Sequence, residues 1–98
     1  MYMTSRVHSA ETHSSLIMKG ILDELVKRSS KHDHLLSNYI IKLVPMINTD
    51  GVSLGNSRSS LVGVDLNRRW AEPNKSIHPE IYFLKRIMML QSETKQGI

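Results

Sequence analysis

The sequence predicts an α/β fold, and three stretches support that prediction. Residues 2–7 have the composition of a strand end, residues 12 to about 27 repeat apolar side chains at helical spacing, and residues 38–46 are apolar almost throughout. An apolar run that is interrupted only by Lys42 is typical of a strand covered on both faces. A strand, a helix and a second strand in this order favour two parallel strands joined by a crossover helix.

A second helix and several polar segments complete the predicted elements. The first helix places Ile17, Ile21 and Leu25 on one face. The second helix begins at Pro79 and ends near residue 91, with Ile81 and its neighbours on one face. The segments rich in Ser, Asn, Asp and Gly are predicted to be irregular: 29–34, 48–51, 52–60 and 92–98. A two-sided strand needs sheet neighbours that these elements do not supply, so we expect part of a larger α/β domain.

Composition excludes several classes of protein. The 98 residues allow one small domain or part of a larger one, and 40% apolar with 22% charged residues is typical of globular chains. The absence of cysteine excludes disulfides, thiolate metal sites and cysteine nucleophiles. Since no apolar run approaches membrane-spanning length, we expect a soluble, cytoplasmic protein without a membrane partner.

The net charge of +4 and the pI near 9.6 raise the question of an anionic partner. The basic residues are scattered along the chain, however, and aromatic residues do not alternate with them. This distribution is typical of solvated helix ends and faces, so a nucleic-acid partner is not expected.

His8 and Glu11 are candidate metal ligands, because a neutral imidazole and a carboxylate are both good ligands for zinc. Catalytic zinc sites usually take three protein ligands and leave one position open for water. The spacing alone is a weak signal, and without further motifs an ordinary surface pair is the better interpretation.

Five blocks of the sequence raise that signal, because together they resemble the M14 metallocarboxypeptidases, in particular the cytosolic carboxypeptidase subfamily. The family patterns are RVHPGET, VPMLNPDGV, GNYRCSL, GVDLNRRW and HPTIY. The matching blocks here are 6–12 (RVHSAET), 44–52 (VPMINTDGV), 55–61 (GNSRSSL), 63–70 (GVDLNRRW) and 78–82 (HPEIY). They follow the family's order and spacing and cover nearly the whole chain.

The resemblance implies a fold, a reaction and a role for five residues. Residues 1–98 would form the incomplete N-terminal part of a catalytic domain, a partial slice of the mixed-sheet α/β/α carboxypeptidase fold. His8 and Glu11 would be two of three zinc ligands, and the zinc would polarise the scissile carbonyl and activate a water. Asn67 and Arg68 would bind the terminal carboxylate of the substrate, and Arg58 would face the developing oxyanion.

The implied substrate is the C-terminus of a peptide or protein. Members of the subfamily commonly remove glutamates from tubulin tails, so a glutamate-rich substrate is the expected one, and the implied protein is a zinc-dependent hydrolase. Asp65 and Trp70 are predicted to be structural. The histidines outside the zinc pattern are predicted to be surface or capping residues: His13, His32, His34 and His78.

The sequence departs from the family pattern in two ways. Ser9 and Ala10 replace Pro-Gly between the two ligands, and Thr49 replaces a proline. In addition, neither the family's later zinc-binding histidine nor its catalytic glutamate occurs in this sequence, so we expect these 98 residues alone to be inactive. The alternative function is that of a non-catalytic remnant, which would bind acidic C-terminal peptides through Arg58, Asn67 and Arg68.

Overall fold

Two parallel strands connected by helices form the sheet of the protein. The computed structural model describes residues 1–27 and 29–94. Strand β1 (Tyr2–Thr4) pairs with strand β2 (Lys42–Val44), with Tyr2 opposite Lys42. Helices α1 (Thr12–Val26) and α2 (Ser30–Asn38) lie between them in the chain. The predicted α/β class and the parallel pair with a helical crossover are therefore confirmed.

Three further elements follow β2: a short helix α3 (Thr49–Leu54), a 3₁₀ turn (Leu66–Arg68) and the long helix α4 (Pro79–Glu93). The prediction of a helix that begins at Pro79 is confirmed. Residues 95–98, at the end of the predicted polar tail, lie outside the described residues. Among the residues that the structure describes, no helix is both long and apolar enough to cross a membrane.

Three predicted irregular segments contain helical residues, which corrects the sequence interpretation. Residues 29–34 contribute to α2, residues 48–51 contain the start of α3, and residues 52–60 contain its end. The Asn48 side chain accepts a hydrogen bond of 2.9 Å from the Gly51 amide, so it caps the first turn of α3. Gly55, at φ +73°, ends that helix in the left-handed conformation. Residues of these types are common both in turns and at helix starts. Their composition therefore does not distinguish a plain turn from the cap and first turn of a helix.

Strand β2 is shorter than the predicted range of 38–46. Residue 38 ends α2, and ladder pairing is confined to the three residues that β1 places opposite β2. The Ser5 amide extends the pairing with a bond of 3.0 Å to the Val44 carbonyl. Pro45 follows directly and has no amide hydrogen with which to continue the ladder.

The hydrophobic core lies where β2, the 3₁₀ turn and α4 meet. Its buried members are Ile47, Leu66, Ile81 and Leu84. On α4, Ile81 and Leu84 point inward as predicted, whereas the next turns are exposed. Within α1, Met18 is buried while Ile17 is 62% exposed, because the narrow two-stranded sheet covers only part of the apolar face of that helix.

Candidate functional site

The candidate ligands His8 and Glu11 lie at the turn that connects β1 to α1. Backbone bonds continue past the end of the strand pair, from the Ile47 amide to the Ser5 carbonyl (3.0 Å) and from the Asn48 amide to the Arg6 carbonyl (3.1 Å). The His8 side chain is buried, and its Nδ1 atom lies 3.1 Å from Oε1 of Glu11. The structure therefore brings the two predicted ligands into direct contact.

Arg6 holds this turn in place. It is the only non-glycine residue with a positive φ (55°) in the part of the chain that the structure describes. Its Nε donates to the Ser9 carbonyl at 2.9 Å, and its Nη1 donates to the Ser15 hydroxyl at 2.8 Å. The Ala10 amide adds a bond of 2.9 Å to the carbonyl of Ser57. Contacts from outside the turn thus constrain the two residues that stand where the family pattern has Pro-Gly.

Asp65 contacts His8 although it lies 57 residues further along the chain. Its Oδ1 lies 2.9 Å from His8 Nε2 and accepts the Asn67 amide at 3.0 Å, while its Oδ2 accepts a bond of 2.7 Å from Arg58 Nε. Desolvation opposes ionisation of this carboxyl, but the hydrogen bonds from Arg58, His8 and Asn67 outweigh it and lower the pKa of Asp65 from 3.8 to about 2. The carboxylate therefore contributes stability above pH 3.8, and this contribution is lost as the pH falls towards 2.

Both ring nitrogens of His8 face carboxylate oxygens: Nε2 faces Asp65 and Nδ1 faces Glu11. An ionised carboxylate can only accept, so when Nε2 carries the proton for Asp65, the lone pair of the neutral imidazole lies on Nδ1. That lone pair faces Glu11 Oε1, which is also an acceptor, at 3.1 Å. Two electron-pair donors that face each other at this distance form an arrangement suited to a shared cation.

The distance between these two atoms fits zinc. Two ligand atoms of one tetrahedral zinc lie about 3.3 Å apart when each is about 2.0–2.1 Å from the metal. A carboxylate on the far nitrogen of a ligating histidine is the usual arrangement around such metals. Within residues 1–27 and 29–94, no group of three or more His, Cys, Asp or Glu side chains is placed to hold a metal ion.

The predicted carboxylate-binding residues lie on the 3₁₀ turn, next to this network. Asp65 caps that turn through the Asn67 amide, and both Asn67 and Arg68 are exposed. The Asn67 Oδ1 atom accepts a bond of 2.9 Å from the indole Nε1 of Trp70. The guanidinium of Arg68 forms no ion pair with any residue in the described ranges, 1–27 and 29–94.

Arg58 reaches the site from the loop after α3. The side-chain amide of Asn48, which is fully buried, donates to the carbonyls of Arg58 (3.4 Å) and Ser59 (3.1 Å) and so fixes this loop. His8, Glu11, Arg58 and Asp65 form one continuous contact network, which Asn67 joins through its backbone. Sequence reasoning treated Asp65 as structural. Its position in the block GVDLNRRW was the available signal, but its contact with a histidine 57 residues away was not visible there.

The remaining histidines lie outside this network. His13 and His34 are exposed, as predicted, and His32 is partly buried. His78 is buried and occupies the N-cap position of α4, so of the two predicted alternatives, surface or capping, the capping position is the one observed. Its Nδ1 accepts a bond of 3.0 Å from the Asn74 amide, so it stabilises the loop before that helix.

Comparisons with known proteins identify the family of the chain. Residues 1–84 match the family model of the zinc carboxypeptidases (peptidase M14). The chain is 47% identical over 96 residues to cytosolic carboxypeptidase 1 of Xenopus laevis, with 98% of this chain and 8% of that protein covered. It is 44% identical over 97 residues to cytosolic carboxypeptidase 6 of Caenorhabditis elegans, of which it covers 21%.

Solved structures show the same fold. A metallo-carboxypeptidase from Pseudomonas aeruginosa, in complex with (2-guanidinoethylmercapto)succinic acid, superposes with a TM-score of 0.76 at 31% identity over 91% of this chain and 24% of its own. A metallo-carboxypeptidase from Burkholderia cenocepacia superposes with a TM-score of 0.82 over 91% of this chain and 25% of its own. The chain thus spans about a quarter, or less, of the proteins described here. In sequence and in fold, it belongs to the zinc carboxypeptidase family.

Proposed function

We propose that this chain supplies part of the active site of a zinc-dependent carboxypeptidase, which hydrolyses the C-terminal peptide bond of a peptide or protein. The observation that carries the proposal is the buried His8, whose Nδ1 faces Glu11 while Asp65 engages its Nε2. The two proposed ligands thereby lie in contact with a carboxylate that is 57 residues from His8 in the sequence.

His8 and Glu11 are the residues that would hold the metal. Bound zinc supplies a Lewis acid that polarises the scissile carbonyl and lowers the pKa of a water molecule. Asp65 keeps the imidazole of His8 in the tautomer that presents Nδ1, and Arg6 keeps the ligand turn in its conformation.

Asn67 and Arg68 would bind the terminal carboxylate of the substrate. A planar guanidinium can offer a carboxylate two parallel hydrogen bonds, and the neighbouring side-chain amide adds a third donor. Both side chains are exposed on the 3₁₀ turn next to the Asp65 network. Recognition of a free carboxylate is what would make the enzyme an exopeptidase.

Arg58 would face the carbonyl oxygen at which negative charge develops. Its Nε is bonded to Asp65, which holds the half-exposed guanidinium in place, and its two Nη groups form no ion pair within residues 1–27 and 29–94. A donor that is already held in place stabilises charge at little reorganisation cost. The ion pair with Asp65 thus supports the oxyanion role proposed for Arg58.

The proposed substrate is an acidic, glutamate-rich C-terminus such as that of tubulin, and the proposed location is the cytoplasm. The net charge of +4 and the exposed arginines of the 3₁₀ turn favour an acidic peptide. The relatives from Xenopus laevis and Caenorhabditis elegans are called cytosolic carboxypeptidases, in agreement with the location expected from the sequence.

The test is a graft, which we define as Xenopus laevis cytosolic carboxypeptidase 1 with its aligned segment replaced by this chain. We expect the graft to release C-terminal glutamate from peptides, to lose activity when a chelator removes zinc, and to regain it with zinc. A folded graft that binds acidic C-terminal peptides without cleaving them would contradict the enzymatic proposal and favour the non-catalytic remnant.

The first prediction concerns Arg68. Because a charged partner of the substrate carboxylate is removed, Arg68→Gln in the graft is expected to raise KM by about 30-fold or more, which corresponds to about 2 kcal/mol. Arg69→Gln is the matched control, since it removes the same charge from the adjacent exposed residue, and its KM should stay within about threefold of the graft. Equal effects of the two variants on KM would show that Arg68 acts only through general charge.

The second prediction concerns Asp65. Asp65→Asn keeps the shape of the side chain but removes the ionised acceptor that holds the Nε2 proton of His8. We expect the zinc affinity of the graft to fall by about 10–100-fold, measured by competition with a chromogenic chelator. Zinc affinity within twofold of the graft would contradict the orienting role.

A further inference from the structure

We propose that Trp70 is a positioning residue for substrate recognition, because its indole fixes the orientation of the Asn67 side-chain amide. This inference rests on the proposed function, in which Asn67 binds the terminal carboxylate. It adds a residue that sequence reasoning treated as structural, and it concerns the selectivity of the site for a free carboxylate rather than the hydrolysis itself.

The hydrogen bond between Trp70 and Asn67 fixes which end of the Asn67 amide faces the indole. An indole N–H can only donate, so the atom of Asn67 that lies 2.9 Å from Trp70 Nε1 must be the carbonyl oxygen Oδ1. The amino group Nδ2 then points away from the indole. Asn67 is exposed, and its Nδ2 donates no hydrogen bond within residues 1–27 and 29–94. The indole therefore leaves Asn67 with two unused N–H donors directed away from Trp70.

Trp70 itself is anchored through both its ring and its backbone. Its ring packs against the hydrophobic core, which comprises Ile47, Leu66, Ile81 and Leu84. Lys85 of α4 donates from Nζ to the carbonyls of Trp70 (2.7 Å) and Ala71 (2.8 Å). Trp70 is thus held by its ring and by its backbone, so the indole N–H has a fixed direction.

Asn67 is also anchored through its backbone amide. The Asn67 amide donates to Asp65 Oδ1, the same oxygen that engages His8. The backbone of Asn67 is therefore tied to the predicted metal ligand, and its side chain is tied to Trp70. A carboxylate that reaches Asn67 meets a donor whose position relative to His8 is set from both sides.

Without the indole, the amide loses the contact that distinguishes its two ends. The last torsion of an asparagine side chain is broad and roughly two-fold, so the oxygen and the amino group would exchange places. With Oδ1 outward, an acceptor faces the substrate carboxylate and repels it. The loss of one oriented hydrogen bond is expected to raise KM by about 3–10-fold.

The test uses Trp70→Phe in the graft, because phenylalanine keeps an aromatic ring in the core and has no N–H group. We expect KM for a peptide with a free C-terminus to rise by about 3–10-fold, while kcat changes by less than about twofold. The inhibition constant of the same peptide with an amidated C-terminus should not change. A structural defect would instead weaken both ligands or lower kcat.

A double-mutant cycle decides whether Trp70 acts through Asn67. In an Asn67→Ala background, Trp70→Phe is expected to have no further effect on KM. An undiminished effect in that background, or an unchanged KM in the single variant, would overturn the inference. If Asn67→Ala and Arg68→Gln both leave KM unchanged, the carboxylate site of the proposed function fails instead.

A second measurement leaves Trp70 in place, and so guards against misfolding of the Trp70→Phe variant. In the isotope-labelled chain, the indole N–H proton should move to lower chemical shift and exchange faster with solvent after Asn67→Ala, because its acceptor is gone. An indole signal that Asn67→Ala does not alter would show that the hydrogen bond is not formed, and would overturn the inference.

Discussion

Replacing His8 with alanine is expected to lower the zinc affinity of the graft by more than about 100-fold and to reduce hydrolysis in proportion. The orienting partner Asp65 is expected to account for about 10–100-fold in zinc affinity, and loss of the ligand itself must exceed that. His8 is also buried, so alanine leaves Asp65 and Glu11 without the imidazole that both of them contact. Metal content by atomic emission and peptide hydrolysis are the two measurements.

His13 provides the matched control for this variant. It lies five residues further along the chain, in the first turn of α1, and it is exposed. His13→Ala should retain the zinc content and the activity of the graft. Retention of zinc by His8→Ala, or equal losses in the two variants, would contradict the assignment of His8 as a ligand.

Replacing Gly51 with alanine is expected to destabilise the chain by about 3–5 kcal/mol. A β-carbon at this position would lie 2.5 Å from the Ser59 carbonyl oxygen and 2.5 Å from Nδ2 of the buried Asn48. Asn48 caps α3 and donates to the loop that carries Arg58, so the clash removes a cap and leaves buried polar groups unpaired. Overpacking, cap loss and unpaired polar groups each cost about 1–2 kcal/mol or more.

Gly20 offers a control with the same chemical change. It lies in the interior of α1, and no atom other than those of its chain neighbours and the surrounding helix backbone lies within 4 Å of where its β-carbon would be. Gly20→Ala is therefore expected to stabilise the chain by about 0.5–1 kcal/mol, through the lower backbone entropy of the unfolded state. Urea unfolding followed by circular dichroism measures both variants. Similar unfolding midpoints for the two variants would contradict the role of Gly51 described here.

The predictable parts of the fold are those whose burial leaves a pattern in the sequence. Helix α4 places Ile81 and Leu84 in the core, and their spacing with Pro79 in the first turn predicts that helix. By contrast, α2 buries none of its side chains, so no apolar period marks it. Helix α3 spans six residues, which is too short for a helical period to be read.

The contacts of the site likewise include some that the sequence predicts and some that it does not. His8 and Glu11 are three residues apart, so their contact is local, and the spacing together with the family resemblance predicts it. The orienting role of Asp65 and the contact of Trp70 with Asn67 depend on which atoms the fold turns towards each other. A carboxylate and an indole fit many environments, and only the structure shows that these two contact His8 and Asn67.

The separation of His8 and Asp65 has a consequence for the order of folding. The His8–Glu11 contact needs only the start of α1, but the His8–Asp65 contact closes 57 residues of chain, at an entropic cost of about 3–4 kcal/mol. We therefore expect the ligand pair to form early and its orienting partner to arrive only with the 3₁₀ turn. Partly folded chains would then bind the metal loosely, so tight binding would report that the 3₁₀ turn has docked against the ligand turn.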